Sequence, residues 1–169
     1  MSRWGPEGPP DEAYERVTDP ERFGVLHGVA RALVADLERR FAVRTEQVAG
    51  GVRLVPDGGG TPLEVELTPF PGVRLRYGRS GGGAFPLCGC DACDEDPQEV
   101  AEQLREAVED VVGGRYAEEL ACEPGKATVT TRTPGSTGCS SYDEEEAEPY
   151  GPPGLRWQHA WPAWPARGS

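Results

Sequence analysis

Three cysteines, Cys88, Cys90 and Cys93, stand in a C-x-C-x-x-C arrangement within the run Cys88-Gly89-Cys90-Asp91-Ala92-Cys93-Asp94-Glu95. Thiolates are soft ligands, and three so close in sequence can converge on one Zn2+, which takes four sulfur or nitrogen ligands. A fourth ligand is to be sought at Cys122, with Cys139, His27 and His159 as the remaining donors. The second C-x-x-C pair found in many structural zinc sites does not occur. Nor does the spacing match the common ferredoxin patterns for an iron–sulfur cluster. Two other readings of the same cysteines stay open. One is a thiol redox pair, which needs a low thiol pKa. Cys93 precedes a helix start, but Asp91, Asp94, Glu95 and Asp96 surround it, and negative neighbours disfavour a thiolate while attracting a cation. Between these two, local electrostatics favours metal over redox. The other is that one or two of the cysteines are small buried hydrophobes that anchor a loop.

Little else in the chain has the spacing of a reaction centre. Gly81-Gly82-Gly83 is followed by no Lys, so it is no phosphate loop of the Walker type. His27 and His159 are the two histidines, and neither belongs to an H-E-x-x-H or nucleophile-elbow pattern. Arg53, Arg74 and Arg76 would share one polar strand face, where they could bind an anion or pair with Glu64 and Glu66. The expectation is a non-enzymatic protein acting through protein contacts, with a candidate structural zinc site at the cysteine loop. The alternative is a thiol-redox or metal-dependent enzyme using the same loop. A protein partner, if there is one, would meet the Trp/Pro segment Leu155–Pro165, which holds Trp157, Trp161 and Trp164. The same tryptophans could instead dock on this chain.

The elements that must position the cysteines read as follows. Thr18-Asp19-Pro20-Glu21 has the form of a helix cap, and Phe23, Leu26, Val29, Ala30, Leu33, Val34, Leu37 and Phe41 recur at helical spacing, which predicts a helix over 20–41. Period-two alternation follows in 43–48, 52–54, 63–67 and 73–77, separated by Gly- and Pro-rich turns, which predicts an antiparallel meander of three or four strands. Residues 78–84 read as a flexible loop. Asp96-Pro97-Gln98-Glu99 predicts a second helix start, and Val100, Leu104, Ala107, Val108, Val111 and Val112 carry it to Gly113-Gly114. Tyr116–Leu120 reads as one further helical turn, and Lys126–Arg132 as a short edge strand. The expected fold is α+β in two layers, with two amphipathic helices packed on one face of a small antiparallel meander sheet. The expected organisation is a flexible N-terminal segment 1–17, an α+β domain 18–133, and a largely disordered acidic and Trp/Pro-rich tail 134–169.

Composition bounds the function classes. The chain has 169 residues, with 17 Lys and Arg against 29 Asp and Glu, a net charge of -12. Such a charge argues against nucleic acid or an anionic membrane surface as a partner, because both are polyanions. No apolar run approaches the ~20 residues that span a bilayer, and the N-terminus lacks the apolar core of a secretory signal, so the expected location is the cytoplasm. The chain has no Asn, no Ile and one Lys, Lys126. That is the bias of a GC-rich genome, so Lys scarcity carries no functional meaning.

Several strings together have a familiar look: Tyr14-Glu15-Arg16-Val17-Thr18-Asp19-Pro20-Glu21-Arg22-Phe23, then Phe70-Pro71-Gly72-Val73 with Arg74 or Arg76 and Gly78, then Phe85-Pro86 ahead of Cys88–Glu95. Over residues 10–115 the chain resembles an uncharacterised family of actinobacterial proteins, a domain of unknown function, with the CGCDACDE string as the most specific part. The resemblance implies one folded domain in a bacterial cytosol. It brings no activity, cofactor or catalytic residue.

Overall fold

The computed structural model describes residues 4–143, 146 and 148–168. Among the described residues two α-helices, α1 (Val25–Arg40) and α2 (Pro97–Val112), accompany nine strands. Strands β1 (Val43–Val48), β2 (Gly51–Pro56), β3 (Leu63–Thr68), β4 (Gly72–Tyr77) and β5 (Gly81–Phe85) form an antiparallel sheet in sequence order. Strands β6 (Ala117–Glu123), β7 (Lys126–Thr133), β8 (Ser136–Asp143) and β9 (Arg156–Ala160) form a second sheet, in the order β8-β7-β6-β9.

The register of the first sheet follows from its alternation. Val52 lies opposite Val65, and Val65 opposite Leu75, while the intervening Arg53, Glu64 and Arg76 share the other face. The apolar face joins Leu26, Ala30 and Leu37 of α1 and Val100, Leu104, Val108 and Val111 of α2 in one buried cluster. Helix α2 starts as its sequence predicts: the Asp96 carboxylate accepts from the backbone N–H of Gln98 (2.8 Å) and Glu99 (3.1 Å), with Pro97 in the first turn. The start of α1 differs. Pro20–Gly24 is a separate 3-10 turn without a side-chain cap, and the Thr18 hydroxyl is donated to Asp91.

The expected single small meander sheet under two helices is therefore incorrect: a second, four-stranded antiparallel sheet exists. It is made from three stretches expected to be something else. The expected helical turn Tyr116–Leu120 lies largely in β6, whose inward positions are Glu118, Leu120 and Cys122. A charged residue among the inward set breaks the hydrophobic alternation by which a strand is recognised. The expected edge strand 126–132 is the interior strand β7, flanked by β6 and β8. The stretch after Pro134 supplies β8 and β9, whose residues are mostly exposed and polar. Main-chain pairing holds them, and that leaves no apolar period to read. Part of the acidic run 143–148 lies outside the described residues. In the first sheet, 81–85 is strand β5 rather than loop. A Cβ at Gly81 would stand 2.4 Å from the Tyr77 ring and 2.6 Å from the Tyr116 hydroxyl, so glycine is what the close approach requires.

The C-terminal stretch closes the molecule. Trp164 is buried in the main core, with its indole N–H donated to the Thr61 carbonyl (2.9 Å) and its ring edge-on to Phe41. Where the sheets meet, the fully buried Glu118 carboxylate accepts from the backbone N–H of Arg79 and Ser80, the Tyr116 hydroxyl and the Trp161 indole N–H, all at 3.0–3.2 Å. Burial first, and then the Glu118 charge, push the Tyr116 phenol up, so it stays protonated as a donor. No helix among the described residues is long and apolar enough to cross a membrane.

Candidate metal centre

The cysteine loop runs from the end of β5 to the start of α2, and its own acids fold it. Glu95 turns back to accept from the backbone N–H of Leu87 (3.1 Å), Cys88 (2.9 Å) and Gly89 (2.9 Å). Gly89 has a φ of +83°, and a Cβ there would sit 2.7 Å from the Phe70 ring, so the tip of the loop needs glycine on two counts. Behind the loop lies the N-terminal segment. The backbone N–H of Asp91 donates to the Arg16 carbonyl (2.8 Å) and that of Ala92 to the Ala13 carbonyl (3.0 Å). The buried Asp91 carboxylate accepts from the Thr18 N–H (2.8 Å), the Thr18 hydroxyl and Arg16 Nε (2.7 Å). The Thr18 hydroxyl first, and then Arg16, hold this carboxyl well below the usual carboxylate range. Ala13, Cys90 and Ala92 form a small buried cluster with Trp4 packed against it.

This scaffold brings Cys88, Cys90 and Cys93 together. Their sulfurs all lie within 4.8 Å of one another, with Cys90 buried and Cys88 and Cys93 exposed. Zinc–sulfur bonds of ~2.3 Å in a tetrahedron place sulfurs roughly 3.8 Å apart, so the three thiols need close by only about 1 Å to share one ion. The thiols are also ordered electrostatically. The backbone N–H of Cys93, then the Cys88 thiol, lower the pKa of Cys90. Cys93, tied by its thiol to Cys90 and Cys88, is pushed up to about 12. Cys90 thus gives up its proton more readily than Cys93.

Sequence reasoning finds the three cysteines but misreads the acids around them. They are not a free negative halo. Asp91 latches the N-terminal segment, Glu95 closes the loop, Asp96 caps α2, and Asp94 faces Arg22 at 4.0 Å. The other expected donors lie elsewhere. Cys122 is buried in the core of the second sheet with Leu120, Ala127 and Val129, and is not a member of the sulfur cluster. Cys139 is exposed on β8. His27 Nε2 stands 3.0 Å from the Gly72 carbonyl; a carbonyl only accepts, so that nitrogen carries the proton and ties α1 to β4. His159, on β9, packs edge-on to Trp161. Among the described residues the cluster supplies three protein ligands and no fourth. The latch of Arg16 and Thr18 onto Asp91 joins residues 73 and 75 positions apart, and no local pattern announces it.

Fold and site together define a two-sheet α+β protein with a trithiol loop braced by its own N-terminal segment. The chain belongs to the Family of unknown function (DUF6226), whose model matches residues 1–168. No curated protein and no solved structure matches it.

Proposed function

We propose that the protein is non-enzymatic and acts through protein contacts, with a zinc ion held by Cys88, Cys90 and Cys93 as a structural element. The observation that carries this reading is the approach of three sulfurs to within 4.8 Å on a loop whose backbone is already fixed by Glu95 and Asp91. Zinc binding displaces protons from thiols, and the lowered pKa of Cys90 favours that release. The exposed side of the site, at Cys88 and Cys93, is where a fourth ligand enters, from solvent or from a partner. An open fourth position is also the form of catalytic zinc sites, which supports metal-dependent catalysis as a second reading. Against it, the four nearby acids are all engaged in structural bonds. A thiol-redox role, which needs a low-pKa thiol open to its substrate, is opposed by the burial of Cys90, the thiol whose pKa is lowered. The partner contact we assign is to the Trp/Pro segment, where Leu155 is exposed and Trp157 and Trp161 are half-buried. The setting we infer is an actinobacterial cytoplasm, supported by the Arg-over-Lys bias and the earlier resemblance.

Elemental analysis of protein purified without chelator tests the zinc site. The reading expects close to stoichiometric zinc in the native chain and loss in the Cys88→Ser/Cys90→Ser/Cys93→Ser variant. Zinc below about 0.1 per chain in the native protein, at neutral pH where thiolate sites bind tightly, would contradict it.

A further inference from the structure

The outer face of the first sheet, opposite the helices, differs in charge from the rest of this acidic chain. Arg44 and Glu46 of β1, Arg53 of β2, Glu64 and Glu66 of β3, and Arg74 and Arg76 of β4 share it. Arg79 follows at the β4–β5 turn. Five arginines face three glutamates there, while the whole chain carries -12. The pairing is uneven. Arg74 bonds Glu66, Arg76 bonds Glu64 and Glu66, and Arg44 bonds Glu46. That engages all three carboxylates. Arg53 lies between Glu46 and Glu64 in the register, yet has no carboxylate partner among the described residues. Arg79 has none either; its guanidinium stacks over the Trp157 ring at 4.8 Å.

Arg53, Arg76 and Arg79 line one depression of about 330 Å³, together with Glu64, Tyr77 and Ser80. Glycine, not a side chain, stands opposite Arg76 on β5, at Gly82, which leaves that side of the depression open. We propose that this depression is a binding site for a small phosphate monoester. Arg76 is neutralised by Glu64 and Glu66, so the two positive charges left over on this face are those of Arg53 and Arg79. A phosphate monoester carries close to two negative charges at neutral pH, because its second pKa is ~6. The planar fork of a guanidinium matches phosphate oxygens in pairs, and Arg53 and Arg79 have theirs unspent. Glu64 acts within the site by holding Arg76 in place. The volume exceeds that of inorganic phosphate and leaves room for a short organic group. A small ligand fits the electrostatics better than a polyanion, which the overall negative charge repels.

Calorimetric titration with glycerol 3-phosphate, inorganic phosphate and succinate tests the site, since all three probes are small anions of different geometry. Saturable binding of glycerol 3-phosphate, tighter than inorganic phosphate and weakening below pH ~6 as the phosphate takes its second proton, is the expected result. Arg53→Ala and Arg79→Ala each lower that affinity at least about tenfold, as loss of a charge-assisted bond pair does. Arg79→Lys also lowers it, because charge without the fork is insufficient. Arg44→Ala, on the same face but outside the depression, changes it less than about twofold in moderate salt. Both Arg53 and Arg79 are exposed, so the variants keep the fold; should Arg79→Ala unfold, Arg53→Ala decides. Absence of saturable binding, equal losses in Arg53→Ala and Arg44→Ala, or succinate binding as tightly as glycerol 3-phosphate would each overturn the proposal.

Discussion

Asp91 and Glu118 are the buried acids among the described residues, and each ties one end of the chain to the body of the protein. Asp91 receives Arg16 and Thr18 of the N-terminal segment; Glu118 receives Trp161 of the C-terminal stretch along with Arg79, Ser80 and Tyr116. The partners differ in kind. Arg16 brings a full positive charge to Asp91, and its side chain is largely exposed. Among the described residues Glu118 has only neutral donors, set by three different segments. A buried carboxylate solvated by neutral dipoles works only while all of them stay in place. The Glu118 end is therefore the cooperative joint between the two sheets, whereas the Asp91 end is a latch that can open locally. It is the latch end that carries the thiols.

The largest effect belongs to the cooperative end. Trp164→Ala removes a core indole and leaves the Thr61 carbonyl without its donor, so denaturant titration should show a loss of about 3–5 kcal/mol. A loss under about 1 kcal/mol would mean that the C-terminal stretch lies on the body without stabilising it. Glu118→Gln keeps the shape but replaces an acceptor of four donors with an amide whose own N–H groups face them. The expected cost is about 2–3 kcal/mol, the range for hydrogen bonds to a charged group. If the variant is neutral, the two ends do not differ in the way described.

The latch end should respond locally. Asp91→Ala is expected to expose residues 4–18 to limited proteolysis while moving the global denaturation midpoint little. A cooperative loss of the whole fold would place Asp91 in the same class as Glu118. The smallest effect is at the surface pair of Arg40 and Glu109, bonded at 2.6 and 3.1 Å and both substantially exposed. Arg40 holds the Glu109 carboxyl below its ordinary value. A depressed folded-state pKa contributes stability above the unfolded value of ~4.3, and that contribution fades as pH falls through the folded value. Glu109→Gln should thus cost less than about 1 kcal/mol at pH 7, and the two proteins should converge in acid. A difference that persists in acid would show that packing, not charge, is at work there.

What could be read from the chain divides along the same physical line. Helix α2 was legible because Asp96-Pro97 caps it and Val100, Leu104, Val108 and Val111 face one core. Strands β1 to β4 were legible because one face is wet and the other dry. Strand β5 was hidden by its glycines, β6 by Glu118 at an inward position, and β8 by having both faces polar. The trithiol was legible because three ligands lie close in sequence. Its brace was not, since Arg16 and Thr18 meet Asp91 only after the chain has folded.

The central claim, that the latch end is a metal centre, is tested most directly by absorption spectroscopy during cobalt(II) titration of the reduced, metal-free protein. Co2+ takes the tetrahedral thiolate sites of zinc and reports each sulfur bond as a charge-transfer band in the near ultraviolet. The predicted result is a saturable band at one ion per chain, displaced by zinc, absent in the Cys88→Ser/Cys90→Ser/Cys93→Ser variant and unchanged in Cys122→Ser. A spectrum indistinguishable from aqueous cobalt, or a band that survives loss of the three cysteines, would contradict it.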